Sequence, residues 1–432
     1  MRFNPLDDEA ALLLSTIYYD EDKTDEAIVM LKKVLDRDPY QVMANYYLAK
    51  TYRKIENYDE AIEYYKRTVE IRPYFETALT ELGIIYEFKG MDDEAIELYE
   101  KILYFHTYNT AIIDKLAQIY VRKQNYDKAL ENYLKLGRHA IGDTNVKLKI
   151  ALIYYKMKDY ANAKGELNKL ITLQKANYEA VYYLGIITEE EKLLDDALDI
   201  FDEIPDSSSF YIDAQIRKAI IFERQKNLDK SVKLIKGLIA ETPDQRERLY
   251  GILSTLYENA KEYGNSIDAL KTLLKDDDKN IYYLFRIGVL YDKLGDVDKS
   301  LEKMHKVLFY DPENANALNY IGYTYADQGI KLNLAEDYIN KALKLKPGDG
   351  YITDSLGWLY FKKGKLKEAA IKLEEAVELA PDDPVIIEHL GDVYYGLNEK
   401  DKALEQYERS LIKSEDQNKE LENKIEKIKR EL

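Results

Sequence analysis

Apolar positions step through this chain at intervals of three and four, as at Leu356, Tyr360 and Phe361, a spacing that gathers side chains on one face of a helix. Short polar stretches such as KIENYDE and KKGKLKE interrupt the pattern, which resolves it into pairs of amphipathic helices joined by tight turns. The pattern also repeats against itself. A small residue stands three places before a bulky position at Ser15, Ala49, Gly83, Ala117, Ala151, Gly185, Ala219, Ser254, Gly288, Gly322, Gly357 and Gly391. Successive marks lie 34 residues apart, except the steps 219 to 254 and 322 to 357, which are 35. The bulky position is Tyr18, Tyr52, Tyr86, Tyr120, Tyr154, Thr188, Phe222, Tyr257, Tyr291, Tyr325, Tyr360 or Tyr394. A second small residue follows the first in every unit, from Ala27, Ala61 and Ala95 through Ser231, Ser266 and Ser300 to Ala335, Ala369 and Ala403.

A fixed period in this range marks a repeat array. Small residues let two helix axes approach closely, and the tyrosine is expected to fill the space they leave. Pro39, Pro73, Pro243, Pro312, Pro347 and Pro381 fall where second helices should stop, since proline lacks the donor that would continue them. The expectation is an all-α chain built as an α-solenoid: a lead-in over 1–7, twelve helix-turn-helix units over 8–413, and a C-terminal amphipathic capping helix over 414–432. Leu421, Ile425, Ile428 and Leu432 form the apolar stripe of that cap. The first unit offers no matching polar lid, because Leu12, Leu13 and Leu14 spread apolar area around its opening helix. Three readings stay open there: the natural protein continues upstream, this end docks on something, or the helix is buried on two sides.

Composition narrows the partners. Of 432 residues 33% are charged and the net charge is −17, so the chain repels phosphate backbones and nucleic acid is not an expected partner. There is no cysteine, which removes disulfides, thiol catalysis and thiolate metal sites. No apolar run is long enough to span a bilayer, and the opening residues lack the features of a signal peptide.

The small–aromatic–small–proline marks at this period resemble the tetratricopeptide repeat, over nearly the whole chain. The resemblance implies a right-handed superhelix whose first helices line a concave, peptide-binding face. Two stretches carry a narrower likeness. The segment ALNYIGYTYADQGIKLNLAEDYINKALKLKPGDGYITDSLGWLYFKKGKLKEAAIKLEEAVELAPDDPVIIEHLGDVYYGL resembles the C-terminal part of a group of bacterial tetratricopeptide proteins, often exported or lipid-anchored. FDEIPDSSSFYIDAQIRKAIIFERQ is similar to that group's middle. It implies assembly or scaffolding of envelope machinery, in the periplasm or at the outer membrane if a native leader is missing here, and in the cytoplasm otherwise.

Catalytic machinery is not visible. His106, His139, His305 and His389 are scattered, and each is expected to face solvent or pack. Asp276, Asp277 and Asp278 lack the alternation and glycine of a calcium loop. Gly364-Lys365 lacks the spacing and hydroxyl of a phosphate loop, with Leu366 following. The expectation is a non-enzyme without cofactor or metal.

In the repeat register two positions per first helix turn inward. They are Leu12 and Thr16, Tyr46 and Lys50, Thr80 and Ile84, Asp114 and Gln118, Leu148 and Leu152, and Tyr182 and Ile186. Then come Ile216 and Ile220, Gly251 and Thr255, Phe285 and Val289, Asn319 and Tyr323, Asp354 and Trp358, and Glu388 and Asp392. The family's carboxylate clamp, made of inward Lys, Asn and Arg on three consecutive first helices, is absent. The three apolar pairs from Leu148 to Ile220 either hold an amphipathic helix or aliphatic peptide, or pack among themselves. Trp358, the single tryptophan, either stacks within the array near Tyr323 or anchors a partner. The function expected is a protein-binding scaffold. The alternative is a structural protein that self-assembles as a homo-oligomer through its first repeat.

Overall fold

The computed structural model describes residues 5–139, 142–414 and 418–432. Most of the 1–7 lead-in and the side chain of His139 therefore lie outside the described residues. Among the described residues the chain is helical, with one 3-10 turn at Pro243–Gln245 and no strand. Helices alternate as the 34-residue period requires. Val42–Lys54 is followed by Tyr58–Ile71, Glu76–Phe88 by Asp92–Phe105, and Thr110–Arg122 by Tyr126–His139.

The polar turns explain the breaks. In KIENYDE, Glu56 adopts a left-handed φ of 59°, and the Asn57 N–H then reaches back to the Tyr52 carbonyl at 2.9 Å, closing the first helix. The Asn57 side chain next accepts from the Glu60 N–H and opens the second helix. The same device recurs with Lys158 (φ 60°) before the cap Asp159, and Lys226 (φ 61°) before Asn227. Gly90 (φ 72°) and Gly364 (φ 76°) fill the left-handed position without the Cβ cost that Glu56 and the lysines carry.

The small marks work by close approach, though not as the sequence suggested. A Cβ added at Gly83 would lie 2.5 Å from Tyr99, at Gly185 2.5 Å from Phe201, and at Gly391 2.6 Å from Tyr407. The space is thus filled by a residue of the second helix, sixteen places on from the mark, and Tyr65, Tyr99 and Tyr407 are enclosed there. The tyrosine three places after the mark packs at the seam instead, and in two repeats it turns its hydroxyl to an acid on the second helix of the preceding repeat. Tyr120 donates to Glu100 at 3.1 Å and Tyr394 to Glu374 at 2.7 Å. Each such side chain contributes about 1.5–3 kcal/mol by burial. Serine at the second mark satisfies itself: Ser266 donates to the Ser254 carbonyl at 2.8 Å.

The helices gather into two compact units, one of described residues up to Ala214 and one from Gln215 to Leu432. In the first, Leu31, Leu48, Leu79 and Ile113 lie in one apolar core and Leu167, Leu170 and Ile187 in another. Its opening helix Pro5–Asp20 leaves Leu13 66% exposed. In the second unit Ile287, Ile321, Leu359, Leu373 and Ile387 are core residues. The last helix, Lys419–Glu431, starts at the cap Asn418 and buries Leu421, Ile425 and Ile428. Leu432 does not complete that stripe. It stands 61% exposed, one residue past the helix end.

Candidate interaction cleft

Four successive first helices of the second unit, Ile281–Lys293, Ala315–Asp327, Gly350–Lys362 and Pro384–Gly396, line one cleft of about 510 Å³. Asn316, Asn319, Tyr320 and Tyr323 reach it from a single helix at steps of three, one and three, one face of that helix. Phe285, Ile352, Asp354, Ser355, Ile386 and His389 complete the walls, with Tyr351 and Val385 exposed at the rim.

Two carboxylates sit at helix starts. Asp349 accepts from the N–H groups of Tyr351 (3.0 Å) and Ile352 (3.2 Å), and Asp383 from those of Val385 (2.9 Å) and Ile386 (3.1 Å). Both caps use Oδ1. The second oxygen of each has no partner among the described residues, and both residues line the cleft. A third carboxylate, Asp354, is buried and accepts from His389 Nδ1 at 2.8 Å. The Asn319 Oδ1 atom is sealed from solvent and has no hydrogen-bond donor.

Beneath these residues lies an aromatic stack. The His389 ring is 4.0 Å from that of Trp358 at 17°, and Trp358 is 4.9 Å from Phe361 at 23°. Trp358 Nε1 donates to Asp327 Oδ1 at 3.0 Å, while Lys362 Nζ sits 4.9 Å from its ring centroid. The indole is only 8% exposed, so it is mortar of the array, reached from the cleft through His389. Tyr323 lies 6.3 Å from the His389 ring; burial, helped by the charges of Asp327 and Asp354, pushes its hydroxyl well above the usual tyrosine pKa.

One repeat further on, Glu388 and Asp392 are already engaged. Lys424 of the last helix places Nζ 2.8 Å from Glu388 Oε1 and 2.8 Å from Asp392 Oδ1. Burial works against the lysine's charge, but hydrogen bonds to Asp392 and Glu388 outweigh it and hold its pKa above the ordinary value.

The other expected site residues do not join this cleft. Tyr46 is buried beside Phe75, and Lys50 Nζ lies 4.6 Å over the Tyr19 ring. Leu148, Ile186 and Ile216 are 9%, 6% and 7% exposed, and Leu152, Tyr182, Ile220 and Val289 are half-buried. Ile220 lines a separate cleft of about 710 Å³ with Gly251, Thr255 and Tyr282. His106 faces Glu76 at 3.2 Å, and His305 meets the Tyr325 hydroxyl at 3.2 Å. Asp276, Asp277 and Asp278 form an exposed turn, with Asp276 3.1 Å from Arg246. Sequence reasoning missed Asp349, Asp383 and the cleft role of His389. A signal existed: His389 falls one place after an inward position, as Tyr320 and Ser355 do.

Hairpins packed in series within each unit, the second helix of one against the first helix of the next, define a helical-repeat scaffold for protein–protein interaction. The chain belongs to the tetratricopeptide repeat family: tetratricopeptide repeat models match residues 8–41, 40–104, 148–212 and 285–350, and a TPR repeat model matches 357–398. It is 30% identical over 190 residues to the TPR repeat-containing protein PA4667 of Pseudomonas aeruginosa, across 44% of this chain and 32% of that protein. It is also 30% identical over 115 residues to the Photosystem I assembly protein Ycf3 of Rippkaea orientalis, across 24% of this chain and 65% of the relative. The matches thus span a third to two thirds of the length of these relatives. A solved structure, the APC/C hetero-tetramer Cut9-Hcn1, is similar at a TM-score of 0.42 and 13% identity, over 98% of this chain and 90% of that one.

Proposed function

We propose that this chain is a non-catalytic adaptor that holds a segment of a partner protein in the cleft of its second unit. The observation that carries the reading is the cleft itself: about 510 Å³ spread over four first helices, with carboxylate and amide oxygens that folding does not use. Sites of this size, apolar-walled with a few convergent polar groups, are where ligands and peptide anchors are held. The setting proposed is assembly of bacterial envelope or surface machinery. It draws support from the two stretches that resemble exported bacterial repeat proteins, and from a relative named for an assembly role.

The test is site-specific photo-crosslinking. Benzoylphenylalanine replaces Val385, 54% exposed at the cleft rim, or Ile371, 61% exposed on a second helix, and the protein is irradiated in extract of its native host. A crosslinked partner is expected at 385 and not at 371, and Tyr323→Asp in the 385 background should abolish it. Equal crosslinking at both positions, or none at 385, removes the reading.

A further inference from the structure

We infer that the cleft receives a lysine or arginine side chain of the partner, seated between Asp349, Asp383 and the aromatic walls. The inference rests on the reading that a partner segment occupies the cleft.

The lining contains three carboxylates, Asp349, Asp354 and Asp383, and neither Lys nor Arg. Asp354 is matched by His389, which leaves two carboxylates whose second oxygens the protein does not use. An apolar occupant would strip water from those oxygens and give nothing back, and an acidic one would add repulsion to a chain of net charge −17. A cation removes both costs. Phe285, Tyr323 and Tyr351 place ring surface around it, which favours a positive group over a neutral one.

The same molecule already shows this chemistry one repeat on. Lys424 Nζ is held by Glu388 and Asp392 at 2.8 Å each and lies 5.5 Å from the Tyr407 ring centroid: two acids and a ring around one ammonium. Glu388 occupies the helix position that Asp354 and Asn319 hold in the two preceding repeats. There the protein supplies the lysine from its own last helix; at the cleft Lys346 Nζ reaches only Asn316 Oδ1, at 2.9 Å, and among the described residues no lysine or arginine pairs with Asp349 or Asp383.

The chain carries its own reporter, because its one tryptophan, Trp358, stacks on His389 at the cleft base. Three tryptophan-free synthetic peptides of identical backbone, with arginine, glutamine or glutamate at every third position, are titrated against the full chain while tryptophan emission is followed. The arginine peptide should shift the emission saturably. Asp349→Asn with Asp383→Asn should weaken it about tenfold or more, with helix content unchanged because asparagine caps as well as aspartate. Glu378→Gln with Glu405→Gln removes equal charge from exposed sites on second helices and should leave affinity within about twofold. Equal weakening by both double variants, or a glutamine peptide that binds as tightly as the arginine one, overturns the cationic seat and leaves the partner-segment reading standing. If the arginine peptide fails to bind while crosslinks form at 385, the seat alone falls; if no peptide binds and no crosslink forms, both fall.

Discussion

The same two helix positions do opposite things in two stretches of the chain, one in each unit. In the helices Thr144–Lys156 and Tyr178–Glu190 they hold Leu148 and Ile186, both buried, with Leu152 and Tyr182 half-covered and Tyr182 set against Phe201 and Phe210. In the second unit they hold Phe285, Asn319, Tyr323 and Asp354, and a cleft stays open between them. The register fixes where a side chain points; its chemistry decides whether the neighbours close over it. Apolar area removed from water contributes about 25 cal/mol per Å², which favours closure, whereas a carboxylate or amide costs free energy to seal without partners.

Three substitutions test this contrast. The largest effect is expected from Ile186→Asp, which forces a charge into a closed site. Stability of the first unit should fall by about 3 kcal/mol or more, read as a lower denaturation midpoint with faster hydrogen exchange across residues 178–190. A wild-type midpoint would mean the position is open after all, and the contrast would dissolve. Trp358→Phe is intermediate. It keeps a ring on His389 but deletes the donor to Asp327, and a loss of about 1–2 kcal/mol in the second unit is expected by the same denaturation assay. Asp349→Asn should change stability by less than about 0.5 kcal/mol, since either residue caps the helix. A larger loss would make the cleft carboxylate a structural element and erase the difference between the two regions.

Much of the fold was legible because it depends on local spacing. The small marks, the proline stops and the turn KIENYDE each act within a few residues, so hairpins and their limits could be read directly. What fills the space over Gly83 was misassigned, since the tyrosine three places away and Tyr99 sixteen places away are equally plausible fillers until the second helix folds back. In the candidate cleft, Phe285, Asn319 and Tyr323 were read as inward from a two-position rule, and all three line it. Asp349 and Asp383 were missed because they lie in turns, where their capping role explains them completely and hides a second use. Pairing the Trp358 ring with His389 needs the distance between neighbouring first helices, a quantity no single helix pattern contains.

Lys424 has one more consequence. By occupying Glu388 and Asp392 it plugs the row of first helices just beyond His389. A guest chain lying along these helices, as proposed, would meet Lys424 on that side, where both acids are already taken. The last helix would then act as a stop against which the guest's position is set.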